Sequence, residues 1–348
     1  MYKKKRLNFR CVIVLGILNV LSVLTLNAQQ TKSLATSIIV EKTATDNDFP
    51  VVSVDKSAAS LRYDEADWKG VIRAIGDLQT DINSVTGIKP KLLTTETMSD
   101  YEIVVGTLGK SKLIDQLVKA KKLDVKDLKG KWESFVITTI PNPQPNAKKW
   151  LVIAGSDKRG TIFGIYELSR QLGVSPWYWW ADVPTKKRQS AYVLAGRYAS
   201  GEPKVKYRGV FINDEAPCLT SWVKNTYGTN YGDHKFYSRV FELILRLKGN
   251  FLWPAMWGSA FYDDDPQNGV LANEMGIVMS TSHHEPMAMA QSDWHRYVKR
   301  NNLPNIWDYT KNTKALQESW RFGMKRAKDW EKVVTVGMRG DGDEAMSE

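Results

Sequence analysis

Between residues 35 and 200 the apolar positions switch back and forth between two periods. Ser37–Val40 and Val51–Val54 are short β-branched runs, and Tyr101–Thr107 reads as a buried strand. Trp132–Ile140 and Trp150–Ala154 read as two more, flanking the turn-rich Pro141-Asn142-Pro143-Gln144-Pro145. Helical spacing lies between these runs. Trp68, Val71, Ile72, Ile75, Leu78, Ile82 and Val85 recur at three and four, with Gly87 and Pro90 as stop signals. Ser111 is placed to cap a helix carrying Leu113, Ile114, Leu117 and Val118, and Gly160–Leu172 predicts another helix, stopped by Gly173. The pattern predicts a small α/β domain. Trp177-Tyr178-Trp179-Trp180 then reads as packing at its edge, with a sugar-stacking platform as the alternative.

From residue 201 the rhythm changes. Four apolar runs each lead into chemistry-bearing residues. Val210–Ile212 leads into Asn213-Asp214-Glu215, and Phe251–Trp253 into Pro254 and Trp257. Gly276–Ser280 leads into His283-His284-Glu285, and Val333–Met338 into Arg339-Gly340-Asp341-Gly342-Asp343-Glu344. Helical patterns separate them, one with Phe236, Val240, Phe241, Ile244 and Leu247 on one face, another with Leu316, Trp320, Met324, Ala327 and Trp330. Repeated βα units with polar residues after each strand predict a (β/α)8 TIM barrel, whose active sites lie at the C-terminal strand ends. Four strands cannot close eight, so the expected fold is α/β: a small N-terminal domain followed by the first half of a barrel. The chain is then expected to be the N-terminal part of a longer enzyme, inactive alone.

The first residues belong to neither domain. Lys3, Lys4, Lys5, Arg6 and Arg10 precede an apolar run from Cys11 to Leu26, and Ala28 offers a small residue for cleavage. This is the pattern of a secretory signal peptide, and the run is short for a membrane span. The expected organisation is leader 1–28, α/β domain 29–200 and partial barrel 201–348, with secretion or periplasmic export. Once cleaved, the chain keeps only Cys218, read as a small buried residue, and so cannot form an internal disulfide.

With 348 residues, 43% hydrophobic and 25% charged, the chain is ordinary globular protein, not disordered or collagenous. The formal charge of +11 suggests nucleic acid. The excess is confined to the leader and the first half, without a dense basic run, so a solvated surface explains it and neither nucleic acid nor, after cleavage, a membrane is an expected partner.

Placed on one rim, the four strand ends gather Asp214, Glu215, Glu285, Asp341, Asp343 and Glu344 with His283, His284, Arg339, Asn213, Trp253 and Trp257. Carboxylates across an aromatic-lined pocket suit glycoside hydrolysis, where one acid protonates the leaving oxygen and a base activates water. An arginine fork holds a sugar carboxylate. Each feature has a plainer reading. Asp214 and Glu215 can cap a turn, the histidines can be loop residues satisfied by backbone, and the Gly-Asp run can be a tight turn or a cation loop. The twelve-residue calcium pattern is absent, and Ala288 breaks the His-Glu-x-x-His zinc spacing. Asp263-Asp264-Asp265 before Pro266 reads as a solvated turn.

The strings Arg208–Glu215, Leu252–Trp257, Thr281–Pro286 and Val336–Glu344 resemble glycoside hydrolase family 115, the xylan α-1,2-glucuronidases. The resemblance spans about residues 35–348. It implies release of glucuronic acid, often 4-O-methylated, from xylan by an inverting, metal-independent mechanism without a cofactor. It places Asp341 in the region of the general base and Asp214, Trp257, His283, His284 and Arg339 in the sugar pocket. It puts the general acid on a later strand, beyond Glu348. Decorated xylan or its oligosaccharides are the implied partner, with a homodimer of the full-length enzyme as a candidate assembly. Two other classes compete: a non-catalytic carbohydrate-binding protein on the same rim, and a metal-dependent hydrolase using His283, His284 and Asp341.

Overall fold

The computed structural model describes residues 31–42, 45–94, 98–213, 216–228, 232–255 and 258–346. The leader, Asp214, Glu215 and Trp257 lie outside the described residues. The chain is mixed α/β.

In chain order the strands of the first half are β1 (Thr31–Lys32), β2 (Ile39–Val40), β3 (Phe49–Val52), β4 (Ser60–Arg62), β5 (Leu92–Leu93), β6 (Tyr101–Thr107), β7 (Phe135–Pro141), β8 (Lys149–Gly155), β9 (Ala191–Val193) and β10 (Arg197–Ser200). One sheet has the order β1-β10-β7-β8-β6-β4-β5, with β8, β6, β4 and β5 parallel and β7 antiparallel to both neighbours. A small antiparallel sheet, β2-β9-β3, accompanies it.

Successive side chains of a strand point to opposite faces, and both faces here are apolar. Ile103, Val105, Leu151 and Ile153 share a core with helices α1 (Lys69–Thr86) and α3 (Lys158–Leu172). Val104, Val152 and Ala154 share another with α2 (Lys112–Lys119). The stop and start signals act as read: Gly87 is left-handed at the end of α1, Ser111 accepts from the Ile114 amide, and Asp157 accepts from the Gly160 amide. Helix α3 is buried on nearly every side, because the sheet covers one face and the second half the other.

The second half contains three parallel strands side by side in chain order: β11 (Gly209–Phe211), β12 (Phe251–Trp253) and β13 (Val278–Met279). Between them lie α4 (Cys218–Tyr227), α5 (His234–Arg246), α6 (Phe261–Asp264) and α7 (Gln267–Met275); α8 (Gln291–Arg300) and α9 (Tyr309–Arg326) follow.

The structure departs from the sequence expectation in four places. Val333–Met338 forms no ladder. Only the residue before it, Lys332, bridges to Met279 of β13, and Val336 stands 77% exposed. Strand β13 is two residues long and turns into the His283 loop, leaving the later residues no strand to pair with. Cys218 is exposed at the start of α4 rather than buried. Leu247 is exposed, because α5 ends at Arg246. The three aspartates before Pro266 are not a solvated turn: Asp263 and Asp264 pair with Arg296, Asp263 also with Arg300, and Asp265 with His234.

The two halves meet through α1 and α3 packed on α5 and α7. Gly70 permits the approach, since a Cβ there would lie 2.3 Å from the Glu274 carbonyl oxygen. Tyr178 and Trp180 of the tryptophan cluster pack at the seam, whereas Trp177 stays exposed. Trp180 donates to the Arg239 carbonyl, Tyr178 to Glu242, and Trp180 lies against Trp222 and Phe236. The seam shares one apolar core, and buried ion pairs cross it as well. Arg246 of α5 donates to Asp81 of α1 at 2.9 and 3.2 Å and to Glu242 at 2.8 Å. Glu133, fully buried, accepts from Arg159 of the first half and from Arg208 and Asn250 of the second.

Candidate active site

Because β11, β12 and β13 are parallel, their C-terminal ends share one side, and the loops leaving them lie together. The His283 loop runs beside the segment leading to Asp341. Thr335 donates its hydroxyl to the Thr281 carbonyl at 3.0 Å, and the Met287 amide donates to the Thr335 carbonyl at 3.0 Å. Gly337 fits against the His283 carbonyl, 3.1 Å from where a Cβ would sit.

Asp343 is the hub. Arg339 lies 2.8 Å from its Oδ1, His283 Nε2 lies 3.1 and 3.2 Å from its two oxygens, and His284 Nδ1 is 3.6 Å from Oδ1. The two imidazoles meet edge to face at 4.8 Å. His283 and Arg339 are half exposed, whereas His284 is buried. Burial holds the His284 imidazole below the usual histidine range, against the pull of Asp343. His283, His284 and Asp343 offer donor atoms within 4.8 Å of one another, a grouping that suits a divalent cation. Arg339 places its positive charge on the same Asp343 oxygen, and that opposes a metal there.

Asp341 stands apart from the hub. It is half exposed and pairs with His295 Nε2 at 3.2 Å. Glu285 is buried, accepting from the Ser282 and Gln291 amides, and burial pushes its carboxyl up to about 7, with Asp293 adding to the rise. It therefore supports the loop rather than facing a ligand. Trp253 sits on β12 with its ring edge-on to Phe211 at 5.4 Å.

The structure thus brings together Arg339, His283 and His284 and adds Asp343 at their centre. Sequence spacing alone weighted Asp341 and Asp343 alike. His295 and Trp307, which donates to the Arg339 carbonyl at 2.7 Å, went unnoticed. The signal for His295 was present: it lies four residues after Gln291, hence on the same face of one helix.

Parallel strands joined by helices carry carboxylate, imidazole and guanidinium on the loops beyond them, a combination that glycoside hydrolysis can use. The N-terminus of glycosyl hydrolase family 67 matches residues 55–168, and glycosyl hydrolase family 115 matches residues 200–348. The chain is a relative of glycoside hydrolase family 115. Among solved structures it is similar to a family GH115 4-O-methyl-α-glucuronidase, BtGH115A, with specificity for decorated arabinogalactans. The identity is 33% and the TM-score 0.70, over 83% of this chain and 36% of that one. The chain therefore spans about a third of that enzyme's length. A Flavobacterium johnsoniae chitobiase (12% identity, TM-score 0.39, 73% of this chain and 34% of that one) and a Streptomyces plicatus N-acetyl-β-hexosaminidase (12%, 0.41, 73% and 45%) are too distant to bear on fold or function. No curated protein matches the chain.

Proposed function

We propose that the chain carries the uronic-acid side of an exported glycoside hydrolase that removes α-linked glucuronic acid, with or without a 4-O-methyl group, from a decorated polysaccharide. The observation that carries this is the Arg339–Asp343–His283–His284 cluster, which lies inside the segment matched to family 115. Arg339 is half exposed and can turn its free N–H groups to a sugar carboxylate while Asp343 holds its other side. The proposal places the cluster on the rim of a (β/α)8 barrel, with residues 29–200 as a separate α/β domain and an export leader cleaved near Ala28. It takes the general acid from outside the Arg339–Asp343–His283–His284 cluster.

Within this reading Asp341 is the base. A base must have a lone pair free to take a proton from water. The Asp343 oxygens already accept from Arg339 and His283, whereas Asp341 has His295 beside it and half its surface open. Asp343 orients the arginine and the histidines. Inversion then follows from one water activated by Asp341 and one acid on the far side of the glycosidic bond.

The similarity to an enzyme with specificity for decorated arabinogalactans makes arabinogalactan a substrate to set beside xylan. The test is release of (4-O-methyl)glucuronic acid from each polymer by the protein carrying these residues, followed by chromatography and by NMR of the first anomer formed. Asp341→Asn should lower kcat by roughly 10²–10⁴-fold with KM little changed. Asp343→Asn should raise KM as well. Wild-type turnover in Asp341→Asn removes it from the mechanism, and a well-folded protein that releases no uronic acid from either polymer refutes the proposal.

A further inference from the structure

The helix α8 touches the Gly340–Asp343 loop at two points one turn apart. Gln291, buried, donates its side-chain amide to the Gly340 carbonyl at 3.1 Å and accepts from the Gly342 amide at 2.9 Å. Its own backbone amide is fixed by Glu285 at 3.0 Å. Four residues on, His295 Nε2 reaches the Asp341 carboxylate at 3.2 and 3.3 Å, and its Nδ1 lies 2.9 Å from the Asn305 amide oxygen. We infer that α8 is a positioning element for the acidic loop, with Gln291 fixing the loop backbone and His295 fixing the Asp341 carboxylate. The inference rests on the reading of Asp341 as the base.

The loop needs such a brace. Gly342 and Asp343 are left-handed, at φ 76° and 66°, a conformation that glycine adopts freely and that aspartate tolerates better than most residues, so the turn is tight. Gly340 closes the turn by donating its amide to the Glu344 carbonyl at 2.9 Å. This internal bond sets the turn's shape and leaves its direction open. The two Gln291 bonds reach the turn from outside and tie it to a helix whose Trp294 is fully buried. His295 then aims one side chain of that turn. An Asn amide can present either its oxygen or its NH2 to Nδ1, so an Nε2–H remains available to Asp341 whether or not the ring is charged. His295 therefore acts as a directional donor. Its ring plane is held from both sides, which is what positioning requires and a surface ion pair lacks.

Asp341 and Asp343 are two residues apart and supported by separate groups. Arg339, His283 and His284 hold the second, and His295 holds the first. The angle between the base and the sugar-carboxylate contact is thereby set by the seating of α8 against the loop. A catalytic group misplaced by about 1 Å can lose on the order of 10²-fold in rate.

The test has two readouts. Hydrogen exchange of the Gly340–Glu344 amides is followed in the wild type, Gln291→Ala, His295→Leu and His295→Gln. Exchange should quicken about fivefold or more in Gln291→Ala, and by a smaller factor in His295→Leu. His295→Gln should restore it, because the glutamine amide still donates toward Asp341. Release of uronic acid is measured on the same proteins. His295→Leu should lower kcat about tenfold or more with KM within about twofold, and His295→Gln should recover most of the loss. Unchanged loop exchange in both Gln291→Ala and His295→Leu overturns the inference, as does faster exchange with unchanged kcat. A wild type that carries the general acid as well, folds and releases no uronic acid refutes the proposed function, while exchange still decides whether α8 braces the loop.

Discussion

Replacing Arg246 by methionine should destabilise the protein by about 3–5 kcal/mol, the cost of leaving buried charge uncompensated. Arg246 is 6% exposed, and Asp81 and Glu242 are 3% exposed each. The two carboxylates would not suffer equally. Glu242 keeps Tyr178 at 2.9 Å and Arg239 at 3.1 Å, whereas Asp81 loses both guanidinium bonds. Burial already pushes the Asp81 carboxyl up, with Arg246 opposing the rise, so its loss drives Asp81 toward protonation. Two cation–π contacts go as well, since the guanidinium lies 4.5 Å from the Tyr166 ring and 4.9 Å from that of Tyr178. Most of the cost should therefore be Asp81's. The double variant Arg246→Met with Asp81→Leu should recover at least half of it, because a buried pair is replaced by apolar volume instead of being broken. Urea unfolding followed by both fluorescence and circular dichroism gives the free energies and shows whether the two halves still unfold together. A single variant within about 1 kcal/mol of wild type, or a double variant no better than the single, would refute the argument.

Other expectations follow from the same structure. Glu285 carries its proton to about pH 7 in the folded chain against an ordinary 4.5, so the folded state binds more protons between those values. Stability should fall as pH rises from about 4.5 to 7 and level off above, and Glu285→Gln should flatten that slope in urea midpoints taken at several pH values. An unchanged slope would mean that Glu285 does not titrate in that window. Gly70→Ala gains helix propensity of about 1 kcal/mol, yet its Cβ would lie 2.3 Å from a backbone oxygen. The clash should win, lowering stability by about 1–3 kcal/mol, and a rise in Tm would contradict it. Chelation should leave release of uronic acid unchanged, since Arg339 occupies the Asp343 oxygen a cation would need. Loss of activity with EDTA that zinc or calcium restores would reverse that.

The first half was legible because its signals are local. Gly87, Ser111 and Gly173 end or begin helices through backbone geometry that a single residue decides. Ile103 and Val104 could not have told which face meets which helix, but their shared apolarity told that both faces are covered. The failures are non-local. Val333–Met338 has the composition of a strand, and pairing depends on a neighbour that had already become loop. Asp263 and Asp264 resemble a solvated turn until Arg296 and Arg300 arrive from a helix some thirty residues on. The site was half visible for the same reason. Arg339 and Asp343 are neighbours on one short loop, whereas the His295–Asp341 pair exists only once α8 is seated.

The buried Glu133 sets an order of assembly. Its partner Arg159 lies on α3, so the first half can form that pair alone, and Arg208 and Asn250 then add the contacts that anchor β11 and β12. A chain made from its amino end presents the acceptor before the donors exist. On that order the earlier half would serve as a template, with its carboxylate as the docking point for the parallel strands. Glu133→Gln should therefore slow the appearance of the second half in refolding more than that of the first. Equal slowing of both halves, or of neither, would leave Glu133 as a late contact that only ties the finished halves together.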